Sequence, residues 1–292
     1  QGSHGTQSVT LVRYEGRLGK TECQNRMVAG SSAEVVVFSD GNVHWAPGAL
    51  SKLVAPFADT TVAATTGALH LKRGEQTEQI NEGLFRRLDH LIKKGESSLL
   101  STIGVNGPVY AVRRKDYIRL QPHLVSDLVL PVLLIARGRR VFYVPQAQVL
   151  EPAAPTIWHE FRRKRRLVTQ GLVALPLLLR ASHPLRQPWL FFLLLSHKIL
   201  RWFGVELLIF AFIATLALIY LPLFQIVLSI ELVLLAAAGL GLLFLRNTPK
   251  SPSRSRLLSA LSFFVLTNTA SLLGAYDYLR GHSATRWRTE RT

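Results

Sequence analysis

The sequence predicts an α/β domain over residues 1–185, followed over 186–292 by an interfacial helix and a helical transmembrane bundle. Three observations carry this. β-branched runs alternate with helix-like segments through the first part, the order that builds α/β domains. Composition then shifts, and residues 189–279 are dominated by Leu, Phe, Ile, Val and Ala. Basic runs also flank the apolar stretches, as they do at membrane surfaces.

The elements follow in order. Residues 8–13 (SVTLVR) read as a short strand, 21–30 as a helix, and 34–39 (EVVVFS) as a second strand. The continuous apolar character of that strand predicts burial on both faces, as in a parallel sheet. Residues 47–54 open with Pro47 and read as a helix; 61–72 read as a strand. Ile80, Leu84, Leu88 and Leu91 recur at helical spacing, which makes 77–95 an amphipathic helix. Residues 102–113 read as a glycine-containing loop feeding a strand, 124–137 as a helix, 140–144 as a strand and 157–182 as a basic, then apolar, helix.

Residues 187–202 carry Trp189 and Trp202 near their ends, with His197, Lys198 and Arg201 toward one end, the pattern of an interfacial helix. Residues 203–221, 226–245 and 257–279 are expected to span a bilayer, with Pro222 in the turn between the first two. The stretch 246–256 holds basic residues and no acids, which marks a cytoplasmic loop. Three spans would place the basic tail outside. Either 187–202 dips into the membrane or the charge rule fails here.

The net charge of +17 calls for an anionic partner. With apolar spans beside the basic runs, membrane lipids and phosphorylated ligands outrank nucleic acid, which is not expected. The single cysteine, Cys23, permits neither a disulfide framework nor a cysteine zinc site, and reads as a small, partly buried residue in a reducing setting. Gln1–Gln7 is polar and has no signal-peptide core, so the apolar segments are expected to serve as the anchor.

Four constellations could carry chemistry. Gly19-Lys20-Thr21 lacks the upstream glycine of a phosphate-binding loop, because position 14 is Tyr14. Lys20 is left with two readings, a phosphate contact or a solvated lysine at a helix start. Ser39-Asp40-Gly41-Asn42 ends a strand where α/β sheets bind ligands, and two oxygen donors there suit a divalent cation on a diphosphate; an ordinary turn explains the same residues. Asp127 after Ser126 is either a helix-start carboxylate or a general base. Glu160–Arg166 (EFRRKRR) is either a solvated or membrane-facing surface, or an arginine clamp on a diphosphate.

Taken in order, RLGKTECQN (17–25), VVVFSDGNVHWAPGAL (35–50), STIGVNGPVYAVRR (101–114), VSDLVLPVLLIARGRRVFYVPQA (125–147), EFRRKRRLVTQG (160–171) and LSHKILRW (195–202) resemble the membrane-bound family 2 inverting glycosyltransferases. That group includes exopolysaccharide, poly-N-acetylglucosamine and cellulose-type synthases. The resemblance implies a partial GT-A (Rossmann-like) catalytic domain on the cytoplasmic side of the inner or plasma membrane, in a multi-pass protein. It implies a hexosyltransferase with a nucleotide-sugar donor and a glycan or lipid-linked acceptor.

Residue by residue, the resemblance implies that Asp40 and Asn42 hold Mg2+ or Mn2+ and the donor diphosphate, with Asn42 in place of the usual second acid. Lys20, Arg163 and Arg166 would contact the same diphosphate. Asp127 would be the catalytic base, with Ser126 in place of the acid usually beside it. Asn106 and Gly107 would line the acceptor site. Leu167 stands where long-chain synthases carry tryptophan, and Arg163 where they carry glutamine. Such enzymes also grip the nucleotide base with an early strand and aspartate. None precedes residue 8, so the chain is expected to begin inside the catalytic domain and to need that missing portion for activity.

Two features of the spans have paired readings. Glu231 either lines a polar path or snorkels to the interface; Asn268 is expected to bond a neighbouring helix. The alternatives to an enzyme are a catalytically inactive membrane scaffold and an anionic-lipid-binding fragment of the same fold.

Overall fold

A computed structural model describes residues 9–16, 18–71, 78–152, 157–247 and 256–281. Its first half is a five-stranded mixed sheet with helices against it. Helix α1 (Lys20–Ala29) precedes β1 (Val35–Ser39), the two-residue β2 (His44–Trp45) and α2 (Ala49–Val54). β3 (Val62–Leu71), α3 (Glu78–Leu99), β4 (Val109–Arg113), α4 (Ser126–Ala136) and β5 (Arg140–Glu151) follow. The spatial order is β1-β4-β3-β5-β2, and only the β3–β5 pair is parallel.

Two strand expectations are corrected. Residues 9–14 form no strand, and Val9 and Leu11 are almost wholly exposed, because no neighbouring backbone supplies a ladder. β1 is half-buried rather than buried on both faces: it lies at the end of the sheet and pairs antiparallel with β4. The fully buried strand is β4, every residue of which is enclosed. The expected strand 140–144 continues to Glu151, pairing along β3 past a register shift at Gly67/Ala68.

The core lies between the sheet and α4. Val129, Leu130, Val132 and Leu134 of that helix are fully enclosed, each contributing about 1.5–3 kcal/mol by burial. Helix α3 forms as its periodicity predicts but turns the other way: Leu88 and Leu91 are mostly exposed, whereas Lys93, Glu96 and Ser97 are buried. The side chains of Ile80 and Leu84 lie outside the described residues.

The second half is helical. α5 (Ile157–Ala181) packs along α10 (Arg256–Leu279), where Gly274 lets the α5 backbone approach and Arg165 forks onto Asp277 with two 2.6 Å bonds. Between them run α6 (Pro188–Leu194), a π-helical turn over Leu195–Ile199, and α7 (Leu200–Trp202). The indole of Trp202 presses on Gly171 of α5, where a methyl group would lie 2.5 Å from the ring. α8 (Gly204–Ala217) and α9 (Pro222–Asn247) complete this part.

The span expectations change in detail. α8 has 14 residues, roughly 21 Å, too short to cross a bilayer core of about 30 Å by itself. It ends in a turn before Pro222, which opens α9 rather than lying in the turn. Among the described residues, Pro222–Leu240 is the one helix long and apolar enough to cross. Residues 188–202 with 204–217 add a second if that pair, bent by 72°, is one broken span. α10 has the bounds expected of a third span, yet packs on α5. The basic loop 246–256 lies mostly outside the described residues. Glu231 accepts a long hydrogen bond from Thr215 of α8 at 3.5 Å. Among the described residues Asn268 bonds no other helix: its amide donates to Phe264 of its own helix at 2.9 Å.

Candidate active site

α1 and the start of α4 frame the site. Buried polar groups hold α1 in place: Thr21 donates to the Leu124 carbonyl at 2.6 Å, and Asn25 to that of Leu120 at 2.7 Å. Buried groups need such partners, so these bonds fix α1 against the strand-to-helix connection. Lys20, at the first position of α1, is thereby aimed at the loop after β1. Its ammonium donates to Asp40 at 2.8 Å and to the Gly107 carbonyl at 3.2 Å.

Asp127 faces the same point. A methyl group at Gly107 would meet Asp127 Oδ2 at 2.8 Å and Lys20 Nζ at 3.1 Å, so both side chains close on this glycine and would have to shift for a larger residue. Val125, not Asp127, occupies the cap position of α4; Asp127 sits in the first turn, where the helix dipole favours its charge. Its backbone carbonyl accepts from Val105 at 2.9 Å, tying helix and loop together. Among the described residues no hydrogen bond reaches its carboxylate.

Asp127 is partly exposed as a residue, while protein surrounds its carboxyl. That burial pushes its carboxyl up from the ordinary range. Lys20, Lys198 and Lys93 oppose the shift, and the like charge of Asp40 adds to it. A carboxylate raised by burial, with free lone pairs and cations nearby, can take a proton from a hydroxyl.

The remaining expected site residues divide. Asn106 anchors the loop: its backbone donates to Thr66 at 2.8 Å, its amide donates to the Gly67 carbonyl at 2.7 Å, and its oxygen accepts from Lys93. It is therefore committed to holding the loop that carries Gly107. Arg163 forks onto Glu160, with bonds of 2.7 and 2.8 Å, rather than reaching toward Asp40. Arg166 is more buried, and its charge interacts with that of Asp127. Asn42 is exposed in the turn after Asp40, so the turn reading and the ligand reading describe the same residues.

For a divalent cation, Asp40 and Asn42 offer hard oxygen donors of the type Mg2+ and Mn2+ prefer. Among the described residues, no group of three His, Cys, Asp or Glu side chains could hold a metal. The pair therefore fits a cation that takes its other ligands from a diphosphate and water.

Sequence reasoning missed a second layer. Asp89 and Lys93, one turn apart on α3, pair at 2.8 Å. Burial alone would raise the Asp89 carboxyl, but Lys93, Lys198 and Arg201 hold it down at about 2. Glu96 accepts from Thr102 at 2.8 Å, from the Ile103 backbone at 3.2 Å, and pairs with His197 at 2.5 Å. Asp89, Lys93 and Glu96 recur at helical spacing opposite the leucines, which was the available signal.

No protein-family model matches the chain, and no curated protein matches it. Among solved structures it is similar to the mannosyltransferase PcManGT from Pyrobaculum calidifontis, determined in complex with GDP-Man and Mn2+. The TM-score is 0.60 at 20% sequence identity, over 92% of this chain and 69% of that chain. The chain shares the fold of that glycosyltransferase.

Proposed function

We propose that the chain is the catalytic and membrane-proximal part of a glycosyltransferase. It moves a hexose from a nucleotide-sugar donor to a glycan or lipid-linked acceptor at the cytoplasmic face of the inner membrane, with inversion. The observation that carries this reading is the convergence of Asp40 and Asp127, from separate stretches, on Lys20 and Gly107. The shared fold supports it, because the structural neighbour binds GDP-Man and Mn2+.

Asp127 accepts the proton of the acceptor hydroxyl as that oxygen attacks the anomeric carbon. The bond from the anomeric carbon to the diphosphate breaks, and its electron pair leaves with the nucleoside diphosphate. Asp40 and Asn42 would hold the Mg2+ or Mn2+ ion, which when bound neutralises charge on the leaving group. Lys20 lies where it can pass from Asp40 to a donor phosphate, and Arg166 adds positive charge from α5.

The membrane part of the reading is supported by the apolar side chains that α8 and α9 turn outward, by the outward leucines of α3 and by the net charge of +17. The test is transfer by the complete protein in detergent, offered GDP- and UDP-sugars with Mg2+ or Mn2+, with the product's anomeric configuration read by NMR. Product of inverted configuration, lost in Asp127→Asn, is the expected result; no transfer with any donor would reject the reading.

A further inference from the structure

The segment between α5 and α8 reaches into the site. Its π-helical turn, Leu195–Ile199, carries His197 and Lys198. π-turns widen a helix by one residue and recur at functional sites. Here the turn presents both side chains to the loop before β4. His197 meets Glu96, which in turn holds Thr102 and Ile103, so a clasp joins this segment to the loop. Lys198 lies on Gly104 of that loop: a methyl group there would stand 3.2 Å from its ammonium and 4.0 Å from the Asp127 carbonyl oxygen. Among the described residues no hydrogen bond or ion pair closes on Lys198 Nζ.

We propose that Lys198 is a positioning residue of the transfer site, its ammonium set behind Asp127 by Gly104 and by the His197–Glu96 clasp, so that seating this segment completes the site. The inference rests on Asp127 being the proton acceptor. Five charged groups face Asp127 from the elements around it: Lys20 of α1, Asp40 beyond β1, Lys93 of α3, Arg166 of α5 and Lys198. Lys20 is paired with Asp40, and Lys93 with Asp89 and Asn106. Lys198 is shared at longer range with Asp89 and Glu96 but, among the described residues, makes no hydrogen bond or ion pair. Its removal makes the Asp127 carboxylate harder to form, so the base is lost at higher pH.

The experiment compares the complete protein with Lys198→Met, Lys198→Arg and Asp127→Asn, using whichever GDP- or UDP-sugar the protein transfers. Folding is checked by thermal melting, and donor binding by calorimetry. For Lys198→Met the acid limb of the kcat profile is expected to move up by about one pH unit, with a roughly tenfold loss of rate below that limb. Donor affinity stays within about twofold, and Lys198→Arg restores both limb and rate. An unmoved limb in folded Lys198→Met overturns the inference while leaving the transferase reading standing. Full activity of Asp127→Asn removes the base, and the inference with it. If Lys198→Met does not fold, Gly104→Ala displaces the ammonium while keeping the lysine, and the same limb decides.

Discussion

The ammonium of Lys20 lies 2.8 Å from Asp40, and both it and the Asp127 carboxylate crowd the Cα of Gly107, where an added methyl would stand 3.1 Å from Lys20 Nζ and 2.8 Å from Asp127 Oδ2. Lys20 is the counter-ion of Asp40. A donor diphosphate with its cation would compete for both groups.

Asp127→Asn is expected to raise stability while abolishing transfer. Burial raises the folded carboxyl above its unfolded value, so the charged form costs stability above the unfolded value, and the cost vanishes below it. An amide removes that cost. The melting temperature at pH 7 rises, and transfer falls about 10²–10⁴-fold. A lower melting temperature would contradict the assignment of a strained carboxylate.

Asp40→Asn is expected to weaken the dependence of donor binding on divalent cation. Calorimetry with and without Mn2+ measures it, using the complete protein. Unchanged enhancement by the ion would exclude Asp40 as a ligand.

Gly107→Ala is expected to cost activity rather than fold. The added methyl meets Asp127 Oδ2 at 2.8 Å and Lys20 Nζ at 3.1 Å, and both side chains must move. Near-wild-type melting with strongly reduced transfer is the signature. Equal activity would show that the crevice tolerates a wider gap.

Asp89→Asn is expected to destabilise the buried Asp89–Lys93 pair of α3. Its carboxyl is held at about 2 against an ordinary 3.8, a difference of roughly 2 kcal/mol. Because the folded value is depressed, that stability is present above about pH 4 and is lost as pH falls toward about 2. Acid melts of the wild type and the variant therefore converge near pH 2 and diverge above pH 4.

Leu91→Trp reports on what covers α3. On the membrane reading, brominated lipid quenches its fluorescence in proteoliposomes, since Leu91 is mostly exposed. Absence of quenching would detach α3 from the bilayer.

Much of the element order was legible in the sequence. α1, α2, α4 and α5 stand within a few residues of their expected bounds, because composition and apolar periodicity are local signals. Local context left Asp40 and Asp127 each with a bland reading, a turn and a helix start, and the resemblance alone paired them; the structure brings both to Lys20 and Gly107. The opposite facing of α3 was read the wrong way: its leucine stripe predicts a buried face, but the stripe of Asp89, Lys93 and Glu96 is the one that turns inward, where Lys93 meets Asn106 and Glu96 meets His197 across the fold.

By itself, then, the sequence determined which stretches become helices and strands and which residues bear oxygen or cationic chemistry, since those depend on neighbours a few positions away. Only the tertiary structure decided that β1 ends the sheet antiparallel to β4, that Glu96 meets His197, and that Lys198 lies beside Gly104. Those outcomes depend on pairings between residues up to about a hundred positions apart, which burial and hydrogen-bond satisfaction select together and no local pattern records.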